Sequence, residues 1–202
     1  AGDVLVGGDP KSGKSWVAGL ICEQLILPRY SLCIVDPEGD YTGPEALPGV
    51  VVERMDGSEP SFVGVERALG HPDLSLVVDL SGAPRGEKPA LARRLLETLN
   101  RLRRATGLPH RVVVDEAHYF LNRLDDSALF DRELGGYLLV TYRISDLSSD
   151  ILAASEAVIV TRIEDRRQAL ALLTVTPGAA PSEWLAMLAS LGIDEAALLP
   201  RL

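Results

Sequence analysis

The chain has 202 residues, 47% of them apolar, and a formal net charge of −9. That length suits one sizeable domain around one core, and that apolar share excludes an intrinsically disordered chain. The acidic balance argues against a protein that wraps nucleic acid over its whole surface, though a local basic strip stays compatible with it. No apolar run approaches the roughly eighteen residues of a membrane span, so no membrane partner is expected. Cys22 and Cys33 are too few for a disulfide framework and read as buried thiols of a cytoplasmic protein. No secretory signal precedes the first motif, and a start at Ala1 suits a fragment of a longer protein.

In chain order, the first predicted strand is "DVLVG", which begins at Asp3 and runs straight into a glycine-rich loop. Further strands are predicted at "LCIVD" (32–36), "GVVVER" (49–54), "LSLVVDL" (74–80), "RVVVDE" (111–116), "YLLVTY" (137–142) and "EAVIVTR" (156–162). They are short, rich in β-branched residues and nearly continuous in apolar character, as strands buried on both faces of a parallel sheet are. Helices are predicted from Lys14 to Leu27 and along the repeat Leu91, Leu95, Leu99, Leu102. Two more are predicted, from Glu164 to Thr174 and from Ser182 to Leu191, the last with a cap-like Ser182-Glu183 start. The alternation predicts an α/β, doubly wound, mainly parallel sheet of about seven strands in a single domain over 1–202. Asp36 to Gly49 reads as a loop, and Arg101, Arg103, Arg104 and Arg111 read as a solvated helix face.

"GDPKSGKS", Gly8 to Ser15, matches G-x-x-x-x-G-K-[ST] at every fixed position. Glycines let successive backbone N–H groups turn inward around phosphate oxygens, and the following helix adds its positive end. Lys14 is expected to reach the terminal phosphates and the Ser15 hydroxyl to ligate Mg²⁺. The nucleotide-binding set is therefore Gly8, Asp9, Pro10, Lys11, Ser12, Gly13, Lys14, Ser15 and Trp16, with ATP and Mg²⁺ as the expected ligands.

Such a site needs a second carboxylate from a neighbouring strand. Asp79 and Asp115 both end strand-like "VVD" runs, and only Asp115 is followed by another acid, Glu116. Asp115 is assigned to the metal and Glu116 to the attacking water, and Asp79 to capping a turn. His118 is given no role. The acidic stretch "DPEGDY", with Asp36 and Glu38, is expected beside the phosphate loop, because strand ends in such folds line one crevice. As a surface turn it reads equally well.

Taken together, "GGDPKSGKSW", "CIVDPEGDY", "VVDLSG", "VVVDEAHYFL" and "VTYRISDLSSDILAASEAVIVTRIEDRRQALAL" resemble the HerA/FtsK superfamily of P-loop ATPases, most closely its HerA branch. The resemblance runs from Asp3 to about Leu173. It implies a RecA/FtsK-like core, ATP hydrolysis, DNA translocation by a hexamer, and a nuclease or other protein partner. The sequence departs from that pattern in three ways. Tyr142 stands where the family carries a γ-phosphate-sensing Gln. The family's N-terminal barrel does not precede Gly8. The stretch from Gly39 to Leu74 is short. Ring ATPases also offer an arginine to a neighbour's phosphate, and Arg143 and Arg162 are the candidates. The departures favour an ATPase module that works within a longer protein. Two alternatives stand beside it: a nucleotide-dependent regulatory or binding module with little hydrolysis, and a P-loop kinase.

Overall fold

A computed structural model describes residues 2–41, 43–56, 62–121, 129–173, 175 and 180–199. One eight-stranded sheet spans the molecule: β1 (Asp3–Gly7), β2 (Leu32–Asp36), β3 (Val50–Arg54), β4 (Ser75–Asp79), β5 (Arg111–Val114), β6 (Tyr137–Thr141), β7 (Ser155–Val160) and β8 (Ala197–Leu199). Their spatial order is β3-β4-β2-β5-β6-β1-β7-β8. Every pairing is parallel except β7 with β8. All seven predicted strands form. The eighth was not predicted, because "ALL" is too short to carry a periodic signal and is held by its antiparallel pairing with β7.

The continuous apolar runs are explained by cover on both faces. Val6, Ile34, Val113, Leu138 and Val140 point to one side, where α1 (Lys14–Ile26) lays Ala18, Cys22 and Ile26 on them. Leu5, Val35, Val112, Val114 and Leu139 point to the other. There the larger core takes in α2 (Val63–Leu69), α3 (Lys88–Thr106), α4 (Ser149–Ala154), α5 (Arg166–Leu172) and α6 (Pro181–Ser190). Neighbouring residues on a strand face opposite ways, so both sides must be apolar.

Helix ends follow local chemistry, with one correction. Asp165 caps α5 by accepting from Arg167 N and Gln168 N, and Ser148 caps α4 through Ile151 N. α3 stops at Gly107, which takes a left-handed φ of 78° and returns its N–H to Arg103 O. The last helix begins at Pro181, not at a Ser182 cap: its N-cap is Ala180, with no side-chain capping bond. Proline's fixed φ and missing N–H suit the first helical position, which makes a Ser cap unnecessary. Thr174, the predicted end of α5, lies outside the described residues. The predicted loop from Asp36 contains one short 3-10 turn, Pro44–Ala46.

The arginine cluster is not a solvated face. Arg103 is buried, donating from Nε to Pro109 O (3.1 Å) and lying 5.1 Å over the Tyr137 ring. Arg111 lies on β5 and donates to Gly2 O, and Arg104 pairs with Asp131. Arg101, paired with Glu66 at 2.7 Å, and Arg104, also near Glu133 at 3.5 Å, are the two exposed members. The long apolar stem of Arg103 lets it fill the core while its head satisfies loop carbonyls.

Candidate active site

Parallel strands place their C-terminal ends on one edge, and the candidate site residues gather there. Gly7 is in register with Thr141 of β6 and Val160 of β7. β5 lies on the far side of β6, with Val114 opposite Leu139. The phosphate loop and the Asp115 strand are thus separated by one strand, and β6 ends between them.

The loop leaves β1 through Gly8, where an added Cβ would collide with Thr161 Oγ1. Lys11 (φ 63°) and Gly13 (φ 96°) are both left-handed. This turns the backbone so that Gly13 becomes the N-cap of α1. The end of β7 secures the loop: Asp9 N donates to Arg162 O (2.9 Å), and Glu164 N donates to Asp9 Oδ2 (2.6 Å). Ser12 Oγ donates to Asp9 O (2.7 Å) and lies 2.5 Å from Thr161 Oγ1. Lys14 is buried, and its Nζ donates to Asp9 O (2.8 Å).

Asp115 follows β5 and is 2% exposed, its N–H bonded to Val35 O (3.1 Å). Among the described residues its carboxylate makes no ion pair. Burial, with the charge of Glu116 added, pushes its carboxyl up to about 8. Glu116 has φ 46° and ψ 43°, a left-handed conformation that costs a non-glycine residue about 1–3 kcal/mol. Burial raises its carboxyl to about 6, with Lys14 opposing the shift. Burial lowers Lys14, against the fields of Glu116, Asp115, Asp9 and Asp40. These charges therefore act on one another across a single crevice.

The acidic loop after β2 divides its work. Asp36 is buried and its carboxylate accepts four backbone N–H groups: Glu38, Gly39 and Asp40 on Oδ1, and Tyr41 on Oδ2. It folds the loop. Glu38 points to Lys88 at 3.8 Å. Glu38 also acts on Glu116 and Asp36 on Asp115, and Asp40 acts on Lys14, Asp115 and Glu116 alike; sequence reasoning left Asp40 out of the site, and its place directly after Gly39 (φ 81°) was the available signal. Ser15, Trp16, Leu20, Glu23, Asp40 and Tyr41 line a cavity of about 290 Å³ beside α1. Trp16 is 65% exposed there.

The ends of β5, β6 and β7 bring in four more groups. Tyr142 presents its ring to Lys14 Nζ, 5.8 Å from the centroid, and to Arg143, 5.4 Å away. Arg143 is an exposed side chain paired with Asp146 at 3.6 Å. Arg162 pairs with Glu164 at 3.5 Å, next to the phosphate loop. Buried His118 sits behind Glu116 with Nδ1 3.0 Å from Thr141 Oγ1, and burial pulls its pKa down to about 4, so the ring is neutral near pH 7.

The donor set suits a nucleotide phosphate with Mg²⁺. A carboxyl pushed up to about 8 by burial and by Glu116 is one whose ionised form a bound cation would favour. Among the described residues no cluster of three or more His, Cys, Asp or Glu groups could hold a metal alone. Mg²⁺ in nucleotide sites binds through one or two protein groups together with substrate phosphates.

A family model described as "Helicase HerA, central domain" matches residues 12–62. No curated protein sequence matches the chain. Among solved structures, the genome packaging NTPase B204 of Sulfolobus turreted icosahedral virus 2 in complex with AMPPCP is similar. Its TM-score is 0.66 at 15% identity, over 100% of this chain and 98% of that one. The same protein with ATP-gammaS gives 0.64 at 16% identity, over 98% and 90%. VirB4 of Thermoanaerobacter pseudethanolicus gives 0.66 at 11% identity, over 99% and 89%. The fold likeness and the family match bear out the resemblance to HerA-like P-loop ATPases.

Proposed function

We propose that this HerA-like chain is a Mg-dependent ATPase module that hydrolyses ATP at the crevice between β1, β6 and β5. The observation that carries the reading is the convergence of Lys14, Asp115 and Glu116 on one field behind a preformed phosphate loop. In this reading the loop's N–H groups and the start of α1 hold the phosphates, and Lys14 exchanges its bond to Asp9 O for a terminal phosphate oxygen. Ser15 and Asp115 would hold Mg²⁺, whose chemistry is to neutralise charge developing on the β- and γ-oxygens. Glu116 orients a water in line with the γ-phosphorus, and displacement gives ADP and phosphate. Arg143 is the nearer arginine in the same chain, since its charge acts on both Glu116 and His118. Arg162 supports the phosphate loop through its carbonyl.

The structurally similar B204 is named a DNA-packaging ATPase, which supports DNA as the substrate of an assembled form of this chain. A homo-oligomer, a nuclease or other protein partner and a cytoplasmic setting belong to the same reading. Among the described residues no helix is long and apolar enough to cross a membrane. Tyr142, which brings a ring rather than an amide to Lys14, favours a second reading: a module that binds nucleotide and hydrolyses little. Phosphate release from Mg-ATP, with and without duplex DNA, tests both. Steady release without any acceptor is expected; tight binding with no release would favour the second reading.

A further inference from the structure

Behind the crevice lies a contact that the reaction scheme above does not use. His118 is 3% exposed, and its Nδ1 lies 3.0 Å from Thr141 Oγ1 and 3.3 Å from Glu116 Oε2. Glu116 Oε2 and His118 Nε2 are both buried without a hydrogen-bond partner. Thr141 Oγ1 also accepts Arg143 N at 3.0 Å, which ties it to the end of β6. The imidazole cannot rotate freely, because Tyr142 meets it edge-on at 4.6 Å and Tyr119 tilts against it at 4.4 Å.

A neutral imidazole carries one N–H, and its position follows from its neighbours. Thr141 Oγ1 already accepts Arg143 N and can give or take a proton at Nδ1, whereas the carboxylate oxygen, which has no other bond, can only accept; a proton on Nδ1 is the tautomer that serves it. Glu116 holds a left-handed backbone, and its carboxylate lies at the ring edge beside Nδ1. An unpaired buried carboxylate oxygen is costly, and a donor already 3.3 Å away is the group able to satisfy it.

We propose that His118 is a positioning residue for Glu116: its Nδ1–H, shared between Thr141 Oγ1 and Glu116 Oε2, fixes one carboxylate oxygen and leaves Oε1 to orient the attacking water. The inference rests on the ATPase reading, since it assigns the second layer of the same site. It also makes the end of β6 part of the water-orienting machinery, because a shift of Thr141 changes how Nδ1–H is shared.

The test uses three variants and two readouts. His118→Phe keeps a planar ring of similar volume and removes Nδ1. His118→Asn keeps a donor near the Nδ1 position. His118→Gln places its amide nearer the Nε2 position. His118→Phe is expected to lower kcat about tenfold or more while leaving KM and the affinity for a fluorescent ATP analogue within about twofold. His118→Asn is expected to recover much of that loss, and His118→Gln little. Equal rates for Asn and Gln, wild-type kcat in His118→Phe, or a KM that rises in step with the fall in kcat would overturn the inference. If His118→Phe does not fold, the Asn–Gln comparison decides. The second readout is ¹⁵N NMR of the His118 ring in the nucleotide-free chain, where a proton on Nδ1 and a resonance that moves in Glu116→Gln are expected. A proton on Nε2, or a resonance indifferent to Glu116, would overturn the positioning role even in a chain that releases no phosphate. Absent phosphate release from the wild-type chain would count against the ATPase reading alone.

Discussion

Asp79 and Asp115 have nearly the same local sequence and opposite surroundings. Each ends a "VVD" run on a parallel strand, and the two strands flank β2 on either side. Asp79 is committed to structure: its Oδ1 accepts Ser81 N at 2.8 Å and its Oδ2 faces Arg54 Nε at 3.7 Å. Asp115 is buried, has Glu116 as a like-charged neighbour, and shares the field of Lys14. The difference is one of place in the sheet. β5 neighbours β6 and so lies one strand from the phosphate loop, whereas β4 lies two strands farther out. Local sequence makes a strand-end acid; strand order decides whether it lies beside the phosphate loop.

The hardest break of this comparison would come from the phosphate side. Lys14→Ala is expected to abolish ATP binding or turnover while the fold survives, because Nζ bonds only a loop carbonyl that stays in place. Isothermal titration with Mg-ATP and circular dichroism check the two halves, and unchanged affinity and turnover in the folded variant would sink the phosphate-loop assignment. Next, Glu116→Gln is expected to keep Mg-ATP binding and slow hydrolysis about a hundredfold or more, the usual scale for losing a positioned base.

Direct substitution of the two aspartates sharpens the contrast. Asp115→Asn is expected to cripple Mg-dependent turnover, and Asp79→Asn to leave kcat within about threefold, since it loses only an exposed cap and a surface ion pair. A crippled Asp79→Asn beside an active Asp115→Asn would reverse the strand assignment.

Stability against pH probes Asp115 without nucleotide. The Asp115 carboxyl ionises near 8 in the fold and near the ordinary 3.8 when unfolded. Between those values the folded state holds more protons, so its stability falls as pH rises. Asp115→Asn removes that dependence. Its melting temperature relative to the wild type should climb from pH 4 to pH 8 and level off above. A flat difference for Asp115→Asn would mean that the acid is not held protonated by the fold.

The smallest expected signal is self-association. Each copy carries a net charge of −9, so copies repel unless complementary patches are buried between them. The isolated chain is expected to associate weakly in light scattering with ATP and Mg²⁺ and to show low basal turnover. A stable hexamer with strongly DNA-stimulated turnover would instead make this chain an autonomous translocase.

Much of this was legible in the order of residues. The phosphate loop is contiguous, and its chemistry needs only the spacing of Gly8, Gly13, Lys14 and Ser15. Seven strands could be read because parallel strands covered on both faces are uninterrupted apolar runs. The preference for Asp115 over Asp79 was also readable, because a second acid follows only Asp115. Three features were hidden. Arg103 looked like its solvated neighbours, since burial of a long arginine depends on loop carbonyls supplied from Pro109 and Gly135. Asp36 and Asp40 could not be told apart within "DPEGDY" until the loop folded, and the fold turned the first inward onto four N–H groups and left the charge of the second acting on Lys14. His118 carried no signal at all, because its meaning lies in Thr141, twenty-three residues away.

The sequence by itself therefore determined the strand and helix periods, the phosphate loop and the acid pair at the end of β5, all of which are encoded within a few consecutive residues. Tertiary structure alone decided that β6 lies between β1 and β5 and that Thr141 and Tyr142 reach the crevice. It also decided that Asp79 is a structural acid and that His118 stands behind Glu116. The reason is physical: hydrogen-bonding periodicity and turn chemistry act over neighbouring residues, whereas strand order, burial and the charge states that burial imposes exist only once distant segments share one low-dielectric core.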